Sequence, residues 1–201
     1  MALTIAEENL PASFWVEQMS DEAFIELCAQ YPDYVLEMTS DGEVIVMPPN
    51  YFWTAMVSGE IFAQLRNWAV ANGRGVAMDA SGGFVLPNGA RRAPDAAWIS
   101  RRQLDVIGAA KVQRWWRACP EFVVEVRSPY DRTRTVRAKM LEWVENGAQL
   151  AWLVDPKTKS IEIFTPHREP QTITEATTIS AQSPIEGFVL DLARVWNPIT
   201  S

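Results

Sequence analysis

Two acidic residues occupy positions where a carboxylate needs a partner. Glu125 lies inside the apolar run Phe122–Val126, and Asp95 immediately precedes a second such run, Ala96–Ile99. An ionised carboxylate buried alone costs several kcal/mol, so we expect Glu125 to contact Arg127, a lysine or a metal ion. Mg²⁺ takes one or two carboxylates and keeps several waters, so two acids at the ends of two strands can share it. The pair therefore predicts metal-assisted chemistry, with an ion pair or a turn-capping role as the simpler alternatives.

Two charged residues on predicted helices could complete such a site. Lys139 lies on the edge of the apolar face of the helix that follows Glu125, and its amine could reach back over the strand end. Glu60 lies beside Ile61 on an earlier predicted helix. A solvated position on the helix surface is the simpler interpretation of both residues.

The segment that carries Glu125 and Lys139 has the pattern of a strand, a helix and a strand. Residues 122–126 and 150–154 are continuous apolar runs, which are typical of buried strands. Residues 131–146 between them have apolar side chains at helical spacing. This order is that of a βαβ unit, or of a helix that covers a mixed sheet.

The remainder of the chain is predicted to supply further strands and flanking helices. Residues 1–18 are interpreted as an N-terminal lead-in and residues 19–201 as a single domain, because no shift in composition marks a linker. The other predicted elements are a helix from Ser20 to about residue 30, a hairpin over 34–47 that turns at Asp41-Gly42, a helix over 54–71, strands within 75–99 and at 161–164, short helical pieces in 101–118 and 188–196, and a possible strand in 172–180.

The composition excludes several kinds of active site. The 201 residues include a single histidine, His167, in a segment that reads as a turn. Zinc sites built on two or three histidines are therefore excluded, and Ser-His-Asp or Cys-His catalysis is disfavoured. Hydrolytic chemistry here would rest on carboxylates, Lys, Arg or Tyr, together with a hard metal that prefers oxygen ligands.

The charge of the chain is unevenly distributed. The net charge is −7, which argues against a general nucleic-acid coat. Residues 91–139 nevertheless hold 12 Lys and Arg against 5 Asp and Glu. This basic stretch could bind a polyanion locally, or its arginines could be solvated and paired with acids elsewhere.

Targeting and membrane signals are missing from the sequence. No apolar run approaches the roughly 18 residues of a spanning helix, and the first nine residues carry two acids and no cation. Two cysteines are too few for a disulfide framework. We therefore expect a cytoplasmic protein that makes no membrane contact.

The residues that flank the two acids and the lysine resemble a known family. Asp95 stands in RRAPDAAWIS, Glu125 in CPEFVVEVRSPYD and Lys139 in RTVRAKMLEWVENGAQLAWLVDP. These motifs resemble the Uma-type family of restriction-endonuclease-like proteins, within the PD-(D/E)XK nuclease superfamily. The likeness covers about residues 34–197 and includes the segments LEMTSDGEVIVMPP, GEIFAQLRNWA, SGGFVLPNGA and IEGFVLDLARVWNP.

The resemblance implies an α/β fold with a restriction-endonuclease-like core, in which helices flank a central mixed β-sheet after an N-terminal helix and β-hairpin. It also implies a metal-dependent endonuclease that hydrolyses DNA with Mg²⁺ or Mn²⁺. Asp95 would be the acid of the PD element and Glu125 the first acid of the E-X-K element. Lys139 would be the lysine that has migrated to the following helix, and Glu60 the helix acid that joins Asp95 and Glu125 at the metal.

Further residues follow from the same resemblance. Glu37 is a weaker candidate, since it matches a recurrent acid of the first hairpin. A homodimer would be the simplest way to cut both strands of a duplex. The arginines expected to contact phosphates that flank the break are Arg127, Arg132, Arg134 and Arg137.

The sequence also departs from the family pattern. Arg127 replaces the lysine of the E-X-K element, Ala93 stands where a serine is frequent, and the loop at 50–59 is aromatic rather than Gly-rich and polar. Two alternatives stay open, the first because of these changes and the second because of the high tryptophan content. The chain could be a nuclease-fold protein without turnover that binds nucleic acid or protein, or a binder of carbohydrate or another small ligand that uses some of its nine tryptophans.

Overall fold

The computed structural model describes residues 12–17, 19–107 and 115–199. The helices in these ranges are α1 (Asp21–Gln30), α2 (Phe52–Asn72), α3 (Arg101–Ile107), α4 (Thr133–Glu145) and α5 (Leu192–Trp196). The strands are β1 (Ala12–Trp15), β2 (Val35–Met38), β3 (Glu43–Met47), β4 (Gly75–Asp79), β5 (Gly83–Val85), β6 (Arg91–Arg92), β7 (Ala96–Ser100), β8 (Trp115–Trp116), β9 (Phe122–Val126), β10 (Leu150–Asp155), β11 (Ser160–Phe164), β12 (Gln171–Thr174), β13 (Thr178–Ser180) and β14 (Val189–Asp191). Across the described residues, no helix combines the length and the apolar character needed to cross a membrane.

The central sheet has six strands in the order β12-β11-β10-β9-β7-β4. Strands β9 and β10 are parallel, and the other neighbouring pairs are antiparallel. Helix α4 connects β9 to β10, which confirms the predicted βαβ unit. The predicted mixed sheet with flanking helices is likewise confirmed.

The side chains of β9 alternate between two apolar cores on opposite faces of this sheet. Val124 packs in one core with Ile61 and Leu65 of α2. Val123 packs in the other core with Met140 and Trp143 of α4. Because alternate residues of a strand share a face, Glu125 is directed to the same side as Val123, toward α4.

A second six-stranded sheet, in the order β1-β3-β2-β6-β5-β8, packs against α1. Phe24 of α1 is fully buried against Leu36 and Val46 of the hairpin. Strand β1 lies inside the segment interpreted as a lead-in, and it pairs with β3. The sequence of β1 gives no strong strand signal, since its place depends on pairing with a segment about 30 residues away.

The predicted helix ends agree with the local capping chemistry. Ser20 is the N-cap of α1, and its hydroxyl accepts a hydrogen bond from the backbone N–H of Ala23. Gly73 closes α2 in the left-handed conformation. The segment 188–196 was predicted as helical, yet it begins with β14, which pairs with β13 before α5 starts. The part of the prediction for 101–118 that falls on residues 108–114 lies outside the described residues.

Candidate active site

The strand register brings Asp95 and Glu125 together. In the antiparallel pair of β7 and β9, Ala97 lies opposite Val123 and Ala96 opposite Val124. One further step along this register places Asp95 opposite Glu125, and opposed residues of antiparallel strands direct their side chains to the same face. An Asp95 oxygen (Oδ2) also accepts a hydrogen bond of 2.7 Å from the backbone N–H of Val126.

Lys139 of α4 reaches this pair of acids from above the sheet. Its Nζ lies 2.8 Å from Oε1 of Glu125 and 2.8 Å from Oε1 of Glu37. It also donates a long hydrogen bond of 3.5 Å to the backbone carbonyl of Ala93. The structure thus assembles Asp95, Glu125 and Lys139 at one place, with Glu37 as a fourth member.

Glu37 of β2 is held by a second buried cation. Nη1 of Arg92 lies 3.1 Å from Oε2 of Glu37, and Nε of Arg92 lies 2.6 Å from Oε2 of Glu142. The backbone N–H of Ala93 donates to Oε1 of Glu37 at 2.9 Å. The site therefore joins the first sheet, through β2 and β6, to the central sheet and α4.

Two neutral side chains orient the acids. The indole Nε1 of Trp143, which is fully buried on α4, donates to Oε1 of Glu125 at 2.9 Å. The side-chain amide of Asn50 donates to Oδ1 of Asp95 at 3.4 Å. The apolar spacing of Trp143 on the helix predicts a core residue, and it gives no sign of the indole hydrogen bond.

Sequence reasoning also missed Arg92. A signal for it exists in retrospect, since two consecutive arginines precede the Pro94-Asp95 pair and form β6, where Arg92 is only 7% exposed. A buried arginine requires anionic partners. The sequence does not reveal that those partners are Glu37 and Glu142.

The pKa values of the two opposed acids, Asp95 and Glu125, are both raised. Burial raises the pKa of Glu125 to about 7, and the charges of Asp95 and Glu37 act in the same direction, whereas Lys139 opposes them. Burial likewise raises the pKa of Asp95, although the hydrogen bond from Val126 and the charge of Lys139 lower it. Both acids therefore bind a proton more strongly than ordinary carboxylates do.

The two remaining members of the cluster remain charged. Burial alone would raise the pKa of Glu37, but Lys139 and Arg92 outweigh it and hold the pKa below its ordinary value. Burial alone would lower the pKa of Lys139, but the neighbouring Glu125 and Glu37 raise it. A Lys139–Glu37 ion pair thus remains charged beside the two acids whose pKa values are raised.

The donor set fits a divalent cation. Glu37, Glu125 and Glu142 share two cationic partners, Lys139 and Arg92. Asp95 has only uncharged hydrogen-bond donors among the described residues, the backbone N–H of Val126 and the side-chain amide of Asn50. No group of three or more His, Cys, Asp or Glu side chains suited to a metal occurs within the described ranges. Mg²⁺ does not need three, since it is held by one or two carboxylates with water in its other positions. A cation between Asp95 and Glu125 would remove the mutual repulsion that helps to raise the pKa of Glu125.

Glu60 is positioned differently from these residues. On α2, its Oε1 accepts a hydrogen bond of 2.9 Å from Gln64 and lies 3.8 Å from Nη1 of Arg194. Within the part of the chain that the structure describes, no contact joins Glu60 to Asp95 or Glu125. Helix α2 packs on the sheet face opposite to α4, so a role for Glu60 at the metal stays a prediction.

The four candidate arginines fall into two groups. Arg127 lies 2.6 Å from Asp155, and Arg137 lies 2.8 Å from Glu162, so both are engaged by acids. Arg132 and Arg134, before and within the first turn of α4, are exposed and make no ion pair with a described residue. Only the second pair presents guanidinium groups without an acidic partner.

Comparison with known proteins agrees with this architecture. A family model described as Uma2, "Putative restriction endonuclease", matches residues 21–193. Among solved structures, the crystal structure of a putative nuclease belonging to DUF820 from Anabaena variabilis is similar, with a TM-score of 0.75 and 15% sequence identity. The match covers 89% of this chain and 98% of that chain, and at this identity it supports the fold alone. No curated protein matches the chain.

Proposed function

The chain belongs to the Uma2 family of restriction-endonuclease-like proteins, and from this premise we propose that it is a metal-dependent endonuclease that hydrolyses phosphodiester bonds of DNA. The observation that carries the proposal is the register that opposes Asp95 to Glu125, with the Nζ of Lys139 2.8 Å from Glu125. Two acids on adjacent strands can hold a metal ion, and the lysine of the covering helix adds a positive charge beside them.

Asp95 and Glu125 would hold Mg²⁺ or Mn²⁺. Such a metal, when bound, acts as a Lewis acid on the phosphate and lowers the pKa of a bound water. Lys139 places a permanent positive charge beside the acids, where it offsets the negative charge that develops on the phosphate. Trp143 and Asn50 fix the orientation of Glu125 and Asp95 through their hydrogen bonds.

The surface around the site supplies contacts for the DNA backbone. Arg132 and Arg134 are exposed at the start of the helix that carries Lys139, and among the four candidate arginines they are the best placed to bind phosphates. Arg127 and Arg137 would have to leave Asp155 and Glu162 to do so. A symmetric dimer would allow one active site to act on each strand of a duplex.

The proposal is tested by cleavage of plasmid and oligonucleotide DNA with Mg²⁺ or Mn²⁺. We expect the wild type to cut and the variants Asp95→Asn and Glu125→Gln to lose cutting. Lys139→Met should lose roughly 10²–10³-fold in rate, because it removes one electrostatic donor. Glu145→Gln is the matched control, since Glu145 is an exposed acid on the same helix and should leave the rate unchanged.

The variant Glu60→Gln tests whether Glu60 belongs to the metal site. A loss of cutting comparable with that of Asp95→Asn would place Glu60 at the metal, despite its contacts with Gln64 and Arg194. Cleavage that is unaffected by Asp95→Asn or Glu125→Gln would contradict the proposed site.

The second candidate function is nucleic-acid binding without turnover. It is favoured by one observation: Oε1 of Glu125 already accepts from both Lys139 and Trp143, which leaves one oxygen of this acid for a metal. This alternative predicts that the wild type binds DNA yet cuts no substrate with either metal.

A further inference from the structure

Four exposed aromatic side chains lie in two chain segments that flank the candidate active site. Tyr51 is the N-cap of α2, Phe52 and Trp53 begin this helix, and Tyr130 lies in the loop between β9 and α4. Phe52 is 76% exposed and Tyr130 is 71% exposed. Tyr51 and Tyr130 stack on each other, with ring centroids 4.8 Å apart and an interplanar angle of 28°. We refer to these four residues as the aromatic ledge.

The aromatic ledge is connected to the acids through the backbone. Asn50, the residue before Tyr51, donates its side-chain amide to Asp95. Tyr130 follows β9, the strand that carries Glu125, after a loop of three residues. Both halves of the ledge therefore begin within a few residues of the groups proposed to perform hydrolysis.

The aromatic ledge is flanked by positive charge. Arg132 and Arg134 follow Tyr130 after Asp131, whose carboxylate accepts from the backbone N–H of Ser128. Both arginines are exposed, without an acidic partner among the described residues. A cationic border next to open aromatic rings is the combination with which proteins bind single-stranded nucleic acid. The arginines contact the phosphates, and successive bases stack on the rings.

We propose that the aromatic ledge stacks against unpaired bases, and that the chain acts on DNA with a single-stranded segment at or beside the scissile bond. This inference rests on the proposed nuclease function and specifies its substrate class. Bases inside a duplex present only their edges, so ring faces such as those of Phe52 and Tyr130 have little to contact there. Unpaired bases expose the faces that the ledge can cover.

A contact with a second copy of the chain fits these observations less well. A symmetric dimer across the ledge would use the same surface twice and bring Arg132 and Arg134 of both copies together, which repel. A DNA strand carries the opposite charge. The positive charge beside the aromatic ledge therefore favours nucleic acid over a second copy of the chain.

The test measures binding of fluorescently labelled DNA by anisotropy, in EDTA so that no strand is cut. The probes are one oligonucleotide, the duplex of the same sequence, and that duplex with a single-stranded overhang. The variants are Phe52→Leu and Tyr130→Leu, which keep apolar surface but remove the ring face. The matched control is Trp15→Leu, an exposed aromatic residue of β1 in the other sheet.

We expect the wild type to bind the single strand and the overhang more tightly than the blunt duplex. Each ledge variant should lose roughly 5- to 100-fold of its affinity for the single strand, because one stacking contact is removed. Its affinity for the duplex should stay unchanged, and Trp15→Leu should bind as the wild type does. Equal wild-type affinity for single strand and duplex, or ledge variants that bind normally, would overturn the inference.

Two further measurements distinguish this inference from self-association of the chain and from the proposed nuclease activity. If ledge variants alter the sedimentation of the chain but not its affinity for the single strand, the surface is a self-association site and the inference fails. The Asp95→Asn variant should keep the preference for single strands. If the wild type shows that preference but cuts nothing, the proposed turnover fails while the binding surface stands.

Discussion

At the scale of single residues, the candidate site is defined by carboxylates that differ in how well their charge is compensated. Glu37 has Lys139 and Arg92 as partners, and its pKa is lowered. Glu125 shares Lys139 but faces Asp95, and burial raises its pKa to about 7. Glu37 therefore stays ionised in its ion pairs, whereas the charge of Glu125 is less well compensated by the protein.

The raised pKa of Glu125 predicts a pH-dependent stability of the metal-free chain. The ordinary value is 4.5, so the folded chain binds the proton of Glu125 more tightly than the unfolded chain does. The contribution of Glu125 to stability is therefore lost as the pH rises from about 4.5 to about 7. Glu125→Gln cannot titrate at this position and avoids the loss. The free energy of unfolding of this variant should therefore rise relative to that of the wild type as the pH increases across this range.

Urea unfolding in EDTA at several pH values measures the difference. Glu145→Gln, at an exposed position of the same helix, serves as the control and should follow the wild type. A difference between Glu125→Gln and the wild type that stays constant with pH would show that Glu125 titrates as an ordinary carboxylate.

At the scale of elements, the site depends on two features: the register of β7 against β9 and the placement of α4 over the sheet. The alternation of β9 and the helical spacing of 131–146 could be read from the sequence, so the side of the sheet that carries Glu125 was predictable. Asp95, Glu125 and Lys139 were singled out because charged groups beside buried apolar runs require partners, and their proposed roles at a metal came from the family resemblance.

The contacts that complete the site depend on pairing between distant segments. Glu37 was singled out only by family resemblance, and its partner Arg92 comes from a strand of two residues that pairs with β2 and β5. Strand β1 and the contact between Asn50 and Asp95 also join segments that are remote in sequence. Local patterns carry no information on such pairing, so these parts of the fold and site could not be predicted.

Two glycines provide a matched test of the elements that flank the site. A Cβ at Gly59 in α2 would meet no atom within 4 Å, so Gly59→Ala should stabilise the chain by about 0.5–1 kcal/mol through helix propensity. A Cβ at Gly75 in β4 would collide with the carbonyl of Ile99 and the ring of Trp98, and Gly75→Ala should destabilise the chain by about 1–3 kcal/mol.

Chemical denaturation of both glycine variants checks this pair. We expect the two changes in the free energy of unfolding to have opposite signs, although the same substitution is made at both positions. A stabilising Gly75→Ala would contradict the close approach of β4 to β7 at this point.

At the scale of the whole molecule, the site is the place where the two six-stranded sheets are joined by charge. Arg92 links Glu37 of the first sheet to Glu142 of α4, and Lys139 links Glu37 to Glu125 of the central sheet. Each of these ion pairs has at least one fully or largely buried partner. The candidate active site and the charged contacts between the sheets are thus the same set of side chains.

This arrangement predicts that Arg92 is important for stability. Arg92→Met should lower the free energy of unfolding by about 3–5 kcal/mol, because it leaves Glu37 and Glu142 with less compensation. Arg194→Met is the comparison, since Arg194 pairs with Glu60 across 3.8 Å and its side chain is 62% exposed. It should cost no more than about 1 kcal/mol. Equal losses for the two variants, measured by urea unfolding, would show that the buried network is not what joins the sheets.

The proposed nuclease function depends on the binding of a divalent cation by Asp95 and Glu125. Isothermal titration calorimetry with Mg²⁺ and Mn²⁺ measures this binding without any knowledge of the DNA substrate. We expect saturable binding of one or more cations by the wild type and by Glu145→Gln, and loss of that binding in Asp95→Asn and in Glu125→Gln. Binding that persists unchanged in both of these variants, or no binding by the wild type, would contradict this expectation.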